Sequence, residues 1–326
     1  MQRLVLAGTG FMAETHVPQW QRMDDVSVEA VVSPSGPEPF LDRHGLDAAA
    51  YTDTVTACEE SDADAVDVCT PTHTHADIVD AAADHGLAIF CEKPLARSLD
   101  EAAAIRDTVR EAGVQIMVGH VLRYFPQYAA AKREVDAGVV GRPGVARARR
   151  LSPFPQWGSA NWFADPDKSG GVFLDLAIHD LDYLRWVWGD VDRVFARRTG
   201  DGARQHGTVT LRFANGATGY VEASWAQPDS RELTTSLEFA GDEGVVAVDS
   251  EDARPYREFT GDEVTVESPV AEDGYYRELA HFVDCLENGI APDVGIGEAM
   301  AAMRLSLAAR RSAASGTPVA PAEVDA

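Results

Sequence analysis

The sequence predicts an α/β fold in two parts, a doubly wound parallel sheet followed by an α+β domain with a largely antiparallel sheet. Short apolar runs alternate with helix-like segments up to residue 120, which is typical of parallel strands joined by right-handed crossovers. Beyond that point several strand-like segments follow one another, and a hairpin signal joins two of them. The domains are therefore predicted over 1–120 and 121–326.

The predicted strands of the first domain are short, almost wholly apolar, and bounded by turn residues. A strand that is covered on both faces needs this composition, because neither of its faces meets water. The five runs are Arg3–Ala7, Val26–Val32, Ala65–Cys69, Leu87–Cys91 and Val114–Val118.

Two helices between these strands carry start and stop signals. Thr74 is predicted to cap the first of them and Gly86 to end it. Ser98 and Glu101 form a capping box for the second, which is predicted to end at Gly113. Strand and helix thus alternate at the rhythm of a doubly wound sheet.

The second domain is predicted to start with a linking helix and a loop rich in Pro, Gly and Trp, followed by one strongly apolar helix. Four strands come next, and the sequence FANGA between the first two is a hairpin signal. Two helices close the chain, and one face of the last carries Ile296, Met300, Met303 and Leu307. This order predicts an α+β domain.

Charge excludes two classes of partner. Asp and Glu number 53 against 28 Lys and Arg, which gives a net charge of −25. A surface this negative repels nucleic acid and anionic membranes, so neither is predicted as a partner. The acidic residues are scattered, and lysine is scarce beside arginine. We interpret this as a halophilic acidic surface for a salt-rich cytoplasm, where about 1 M salt screens charges within about 3 Å.

The sequence also bears on cellular location and on metals. No apolar run is long enough to cross a bilayer, and the N-terminal run is too short and wrongly flanked for a secretory signal. We therefore expect a cytoplasmic protein. The four cysteines include no C-x-x-C pair, and no other cluster has convincing metal spacing, so no metal is predicted.

The first strand runs into a turn with the spacing G-x-G-x-x-A, formed by Gly8, Gly10 and Ala13. The first glycine makes the turn, the second lets a pyrophosphate approach the backbone, and the small third residue packs helix on strand. The phosphates would lie at the N-terminus of that helix. We therefore predict a Rossmann dinucleotide-binding domain, with Phe11 and Met12 also in its cofactor site.

The end of the second strand bears on the choice of cofactor. Ser33 and Ser35 stand where NAD-binding domains usually carry a carboxylate for the ribose 2′-OH. Without that carboxylate the 2′-phosphate of NADP is not repelled, so the sequence slightly favours NADP over NAD. Arg43 is a candidate for the phosphate only if the next helix folds back. A site that accepts both cofactors is the alternative.

The apolar helix of the second domain carries a polar stripe. Asp175, His179 and Asp182 are spaced i, i+4, i+7 and share one helical face. Polar groups on a buried helix are costly unless they are paired or face a cavity. The stripe therefore indicates either a structural Asp–His ion pair or a ligand site. Gly170 and Gly171 just before it suit the close approach of a ligand.

Lys93 is one of three lysines beside 25 arginines, and it follows Glu92 at the end of a predicted strand. Open α/β sheets bind ligands at the carboxyl ends of their strands. Pro94 favours an extended conformation at Lys93, and a compact ammonium in a chain that otherwise prefers arginine indicates chemistry more than solubility.

In these motifs the chain resembles the glucose–fructose oxidoreductase/inositol dehydrogenase/MocA family, nearly from end to end. The motifs, in order, are AGTGFMA, CTPTHTHADIV, FCEKPLARSLDEA and SGGVFLDLAIHDLDYLRW. The resemblance implies an N-terminal Rossmann domain and a C-terminal domain whose open sheet makes oligomer contacts, hence a homodimer or homotetramer. It also implies NAD(P)-dependent oxidation or reduction of a secondary alcohol or carbonyl group on a sugar, cyclitol or related polyol.

The same resemblance implies site residues, position by position. Lys93 matches the family's E-K-P lysine, and Asp175 and His179 match its D-x-x-x-H pair; these three are the predicted catalytic residues. Thr72 replaces the asparagine of a loop that often reads T-P-N-x-x-H. Positions assigned to the cofactor are Thr70, Pro71, Thr72, His75, Glu92, Arg123 and Trp162, and those assigned to the substrate are Lys93, Asp182 and Tyr276.

A mechanism follows as a hypothesis. His179 removes the alcohol proton as the hydride leaves for the nicotinamide. Asp175 orients the imidazole, and Lys93 stabilises the developing alkoxide. Two other interpretations stay open: a lyase or hydrolase that uses tightly bound NAD as a transient redox group, and a non-catalytic NAD(P)-binding regulatory protein. A regulatory protein need not keep a base, a lysine and a carboxylate together, whereas this chain has all three.

Overall fold

The computed structural model describes residues 1–156, 158–252, 256–260, 263–267 and 272–324. Two sheets organise this chain. A parallel sheet comes first, and a larger, mostly antiparallel sheet comes second.

The first sheet is built from short strands that are almost completely buried. They are β1 (Gln2–Ala7), β2 (Val26–Val32), β3 (Ala49–Tyr51), β4 (Ala65–Val68), β5 (Ala88–Glu92) and β6 (Ile116–Gly119). All neighbours pair in parallel, in the order β3-β2-β1-β4-β5-β6. The predicted doubly wound sheet is thus confirmed. The sequence did not indicate β3, because its three residues lack the buried apolar character of the others.

Five helices connect these strands. They are α1 (Phe11–Trp20), α2 (Glu38–His44), α3 (Thr54–Glu60), α4 (His75–Asp84) and α5 (Leu99–Ala112). At the start of α5, Ser98 Oγ accepts a hydrogen bond from the N–H of Glu101 at 3.2 Å. The Glu101 carboxylate accepts the N–H of Arg97 instead of closing the capping box. Gly113 ends the helix in the left-handed conformation, as its sequence predicted.

The second sheet has eight strands. They are β7 (Pro143–Pro153), β8 (Val191–Asp201), β9 (Arg204–Phe213), β10 (Thr218–Gln227), β11 (Thr234–Gly241), β12 (Gly244–Asp249), β13 (Tyr256–Thr260) and β14 (Glu263–Glu267). Their order is β14-β13-β12-β11-β7-β10-β9-β8, and every neighbouring pair is antiparallel except β7 with β10. The largely antiparallel sheet is therefore confirmed.

The helices of the second half lie on both domains. They are α6 (Pro126–Asp136), α7 (Pro166–Ser169), α8 (Ile178–Trp188), α9 (Gly274–Asn288) and α10 (Ile296–Ser315). Leu279 and Phe282 of α9 belong to the core of the first domain. Helix α10 contributes Met303 to that core and Leu305 to the core of the second domain. The first sheet ends with β6 at Gly119 and the second begins with β7 at Pro143, and the chain returns to the core of the first domain through α9.

Within the described ranges, each helix is too short or too polar to span a lipid bilayer.

Candidate active site

A cavity of about 930 Å³ runs from the carboxyl ends of β1, β4 and β5 to the second sheet. It lies where a doubly wound sheet opens its crevice. Most of the predicted site residues line it: Gly8, Gly10, Phe11, Met12, Ser33, Ser35, Thr70, Pro71, Thr72, Glu92, Lys93, Trp162, Asp175 and His179. The fold thus brings the glycine turn, the strand-end lysine and the helix stripe to one cleft.

The glycine turn is shaped for close approach to its backbone. Gly8 has φ of 110°, and a Cβ atom there would lie 2.6 Å from the main-chain oxygen of Cys69. Gly10 is the extended N-cap of α1 and has no side chain that could cap the first N–H groups of the helix. A Cβ atom on Gly10 would meet nothing within 4 Å. The first N–H groups of α1 therefore open onto the cleft, which fits the pyrophosphate of a dinucleotide.

The hydroxyls of Ser33 and Ser35 lie 3.3 Å apart at the end of β2, on the cleft wall. Arg43 does fold back towards α1, but its guanidinium pairs with Glu14 there, and it does not line the cavity. The end of β2 therefore offers neither a carboxylate for a ribose diol nor an unpaired arginine for a 2′-phosphate.

Lys93 lies between the two domains. Its Nζ donates to the main-chain oxygen of Asp175 at 2.8 Å and lies 3.4 Å from Asp175 Oδ1. Both side chains are nearly buried, so little water screens this pair. The ammonium is thus held at the cavity wall beside His179, which lines the same wall.

The Asp175–His179 relation differs from the predicted one. Residues Val172–Leu176 form a π-helical turn before α8 begins at Ile178. The wider turn breaks the i, i+4 register, and Asp175 turns to Lys93. His179 Nδ1 is buried and has no hydrogen-bond partner within the described part of the chain. In this geometry Asp175 therefore contacts Lys93 and, contrary to the expectation from the sequence, does not orient the His179 imidazole.

Burial and charge set the protonation of this group. Burial lowers the pKa of His179 well below its usual value, and the nearby cations of Lys93 and Arg150 lower it further. Burial raises the pKa of Asp175, although Lys93 partly offsets that rise. The imidazole is thus neutral at neutral pH and able to accept a proton, and the lysine supplies positive charge next to it.

Two predicted residues lie behind the cavity wall. Asp182 is buried, and both of its carboxylate oxygens accept hydrogen bonds from Arg123, at 2.9 and 2.6 Å. Arg123 also binds Glu298. Neither member of this Asp182–Arg123 pair lines the cleft. The structure places them as a buried ion pair away from the cleft.

Two more of the predicted site residues, His75 and Tyr276, lie outside the cleft. His75 bridges two loops, with Nδ1 3.1 Å from the oxygen of Pro94 and Nε2 3.0 Å from that of Thr70, and thereby supports the Thr70 loop. Tyr276 packs under the guanidinium of Arg22, whereas the preceding residue, Tyr275, lines the cavity.

Sequence reasoning also missed residues on the second sheet. Arg150 of β7 lines the cleft, is buried, and binds Asp180 through two hydrogen bonds of 2.9 and 3.1 Å. The signal was present in the sequence ARARR: Ala146 and Ala148 face inward, so Arg150 takes an inward position of the strand. Further cavity residues from this domain are Gln127, Tyr128, Ser152, Phe163, Trp225, Thr235 and Ser250.

Comparison with known families matches both halves of the chain. The oxidoreductase family domain with an NAD-binding Rossmann fold matches residues 2–120. The GFO/IDH/MocA C-terminal domain matches residues 128–247.

Individual proteins are similar over most of their length. A scyllo-inositol 2-dehydrogenase (NAD(+)) of Bacillus subtilis is 32% identical over 283 residues, 80% of this chain and 78% of that protein. A D-xylose 1-dehydrogenase (NADP(+)) 2 of Haloferax volcanii is 32% identical over 263 residues, 78% of this chain and 80% of that protein.

Solved structures share the fold. A probable dehydrogenase of Thermotoga maritima superimposes with a TM-score of 0.85 at 26% identity, over 99% of this chain and 100% of that one. An Agrobacterium radiobacter oxidoreductase in complex with NAD+, L-tartaric acid and magnesium superimposes with a TM-score of 0.89 at 24% identity, over 99% of both chains.

Proposed function

Since this chain belongs to the GFO/IDH/MocA oxidoreductase family and is an NAD(P)-dependent dehydrogenase of a sugar, inositol or related polyol, we propose that Lys93 and His179 handle the proton and charge of its reaction. The observation that carries this proposal is the joint placement of Lys93, Asp175 and His179 on one wall of the cleft. The glycine turn that fits a dinucleotide opens onto the same cleft.

The proposed roles follow from charge. A nicotinamide held in this cleft would supply hydride transfer to or from the substrate carbon. His179 takes the hydroxyl proton, because its lowered pKa keeps the imidazole neutral. Lys93 donates a hydrogen bond to the reacting oxygen and stabilises its negative charge. Asp175 holds the lysine in place through its main-chain oxygen and its carboxylate.

A cyclic polyol suits the remaining walls. Trp162, Phe163 and Trp225 provide apolar faces, and Arg150 and Thr235 provide polar groups. Sugar and cyclitol rings present C–H faces and hydroxyl edges, which match an apolar pocket with a few placed polar groups. The Asp180 carboxylate neutralises Arg150, so the cavity does not demand an acidic substrate.

For the cofactor, we propose that the site accepts both forms and slightly favours NADP. Ser33 and Ser35 offer hydroxyls where a carboxylate would repel the 2′-phosphate. Arg43 does not add to this preference, since Glu14 holds it. Titration with NAD and NADP in parallel measures the preference, and a carboxylate introduced as Ser33→Asp should shift it towards NAD.

We further propose a homodimer or homotetramer formed through the outer face of the second sheet. That face carries exposed Tyr220 and rows of ion pairs such as Arg147–Glu238 and Arg149–Glu222. Light scattering at high KCl gives the mass directly. A monomer at micromolar concentration would contradict the proposal.

The function is tested by a cofactor-reduction screen of aldoses, inositols and sugar acids at high KCl, with NAD and NADP in parallel. We expect the reduced cofactor to form in step with the oxidation of one polyol class. Turnover without net formation of reduced cofactor would instead favour a lyase or hydrolase with transient redox chemistry. Cofactor binding without reduction across the whole panel would favour a regulatory protein.

A further inference from the structure

Behind the cleft wall, a fully buried histidine joins two carboxylates. His16 Nδ1 lies 3.0 Å from Asp67 Oδ2, and His16 Nε2 lies 3.3 Å from Glu92 Oε1, an ion-pair distance without the geometry of a hydrogen bond. The indole N–H of Trp20 donates to Asp67 Oδ2 at 2.7 Å. The chain Trp20–Asp67–His16–Glu92 thus runs from the interior of the first domain to the cavity, which Glu92 lines.

The surroundings of His16 favour its protonated form. Burial lowers the pKa of His16, whereas the Asp67 carboxylate raises it through its charge and its hydrogen bond. Burial raises the pKa of the Cys69 thiol, so Cys69 stays neutral. The Asp67 carboxylate is therefore the charge that keeps the proton on His16.

A third carboxyl group nearby does not compete for this cation. Glu278 of α9 is fully buried, and neither of its carboxyl oxygens has a hydrogen-bond partner among the residues described. Burial, with Glu92 as a second cause, raises the pKa of Glu278 well above its usual range. Burial thus favours the neutral form of Glu278, and the carboxylates next to His16 are those of Asp67 and Glu92.

Glu92 is fixed from three sides at the cleft. His16 contacts Oε1, and the main-chain N–H of Lys93 donates to Oε2 at 3.1 Å. On the third side, a Cβ atom on Gly119 would lie 3.0 Å from Glu92 Oε1, so only glycine leaves the carboxylate its full space. The charge therefore stands at a defined point of the wall, one residue before Lys93.

We infer that His16 is a positioning residue that holds the charged Glu92 carboxylate against the nicotinamide end of the cleft, so that the protein binds the oxidised cofactor more tightly than the reduced one. The oxidised nicotinamide ring carries a positive charge, and the reduced ring carries none. This inference rests on the proposed function, which places the reacting ring beside Lys93 and His179.

The bias has a direct consequence for turnover. A carboxylate near the ring attracts the cation and loses that attraction once the ring is reduced. The site therefore takes up the oxidised cofactor and releases the reduced one, which suits polyol oxidation. In a partly dehydrated cleft, one such charge accounts for about a tenfold difference in affinity.

The test compares binding of the two cofactor forms without substrate. Dissociation constants for oxidised and reduced cofactor are measured for the wild type, Glu92→Gln, His16→Gln and the double variant. We expect the ratio of the reduced-form to the oxidised-form constant to fall about tenfold in Glu92→Gln. In His16→Gln the ratio should fall less, in the same direction, because losing the fixed position of the carboxylate outweighs losing the neighbouring imidazolium charge. A ratio that rises would show that the imidazolium only opposes Glu92, and would overturn the inference. The double variant should match Glu92→Gln, because both changes act through one carboxylate.

His85→Gln serves as the matched control. His85 is exposed at the end of α4, where its ring contacts the main-chain oxygen of Ala81, so its loss should leave the ratio unchanged. An unchanged ratio in Glu92→Gln, or in folded His16→Gln, would overturn the inference. Additive effects in the double variant would overturn it too, as would a stoichiometric metal ion held by His16, Asp67 and Cys69.

A second variant covers the case in which His16→Gln does not fold. Asp67→Asn keeps the side-chain size and removes the charge that holds the proton on His16, so the ratio should fall as in His16→Gln. Failure here is distinguishable from failure of the proposed function. An inactive polyol screen with the expected cofactor ratios contradicts only the function. Cofactor ratios that stay unchanged in the variants contradict this inference, whatever the polyol screen shows.

Discussion

At the scale of single residues, the Lys93 ammonium joins the two domains at the cleft. It is one of three lysines in the chain, and its Nζ reaches across to the main-chain oxygen of Asp175 at 2.8 Å. The rarity of lysine and the position at a strand end made it a candidate. The expected contact between Asp175 and His179 is what differs, since the Asp175 carboxylate contacts the lysine and His179 Nδ1 has no partner in the described structure.

Removing either proposed catalytic group should slow turnover and spare cofactor binding. We expect Lys93→Ala and His179→Ala each to lower kcat about 10²- to 10⁴-fold. Kinetics with the polyol found in the screen, and titration with cofactor, measure the two effects. His206→Gln, at an exposed position of β9, is the control. Near-normal kcat in both alanine variants would contradict the assignment.

The lowered pKa of His179 makes a prediction for the pH profile. The base must be unprotonated, so kcat/KM should fall as pH falls through the pKa of His179. That pKa lies well below 6.5, because burial and then the Lys93 and Arg150 cations disfavour the protonated ring. The acid limb of a profile of kcat/KM against pH should therefore lie below pH 6.5. Removing a cation, as in Lys93→Met, should raise the pKa of His179 and move the acid limb to higher pH. An acid limb above neutral pH in the wild type would be inconsistent with His179 as the base.

At the scale of elements, small shifts in helix geometry decide which side chains meet the cleft. The π-helical turn Val172–Leu176 directs Asp175 to Lys93. Helix α9 begins at Gly274 and sends Tyr275 into the cavity, while Tyr276 packs under Arg22. A pattern of residue types cannot distinguish neighbouring tyrosines, because the angle at which the helix packs makes the choice.

We expect alanine substitutions at the two glycines of the β1–α1 turn to have different effects. Gly8→Ala should destabilise the protein by about 1–3 kcal/mol, because φ of 110° is strained for alanine and its Cβ would lie 2.6 Å from a carbonyl oxygen. Gly10→Ala should change stability by less than about 0.5 kcal/mol, since its Cβ meets nothing within 4 Å.

The added methyl group of Gly10→Ala should still weaken cofactor binding, by roughly tenfold, since it occupies the path of the pyrophosphate. Denaturant unfolding at high KCl and cofactor titration separate the two effects. Equal stability of the two variants would argue against the turn geometry, and unchanged affinity in Gly10→Ala would argue against cofactor at this turn.

At the scale of the whole molecule, charge dominates. The net charge of −25 is spread along the chain, and most of the arginines that pair do so with exposed carboxylates. Such a molecule repels itself in dilute buffer. Salt shortens the range of this repulsion from about 10 Å at 0.1 M to about 3 Å at 1 M. We therefore expect folding stability to depend on salt.

The melting temperature at about 2 M KCl should exceed that at about 0.1 M by at least about 5 °C. Scanning calorimetry over a KCl series checks this, with sucrose of matched osmolality as the uncharged control. The same melting temperature across the series would show that the acidic surface does not depend on salt.

The sequence by itself determined the parts of this protein that depend on local pattern. Buried parallel strands, the Gly8–Gly10 turn and the strand-end Lys93 follow from apolar runs, turn residues and spacing, which act over a few residues. Capping at Ser98 and the stop at Gly113 follow in the same way.

Only the tertiary structure decided which distant groups meet. It pairs Asp182 with Arg123 away from the cleft and brings Arg150 to the cleft from the second sheet. It also joins His16 of α1 to Asp67 and Glu92 of two different strands. These contacts depend on strand order and on helix packing angles, which arise from burial across the whole chain and leave no fixed spacing in the sequence.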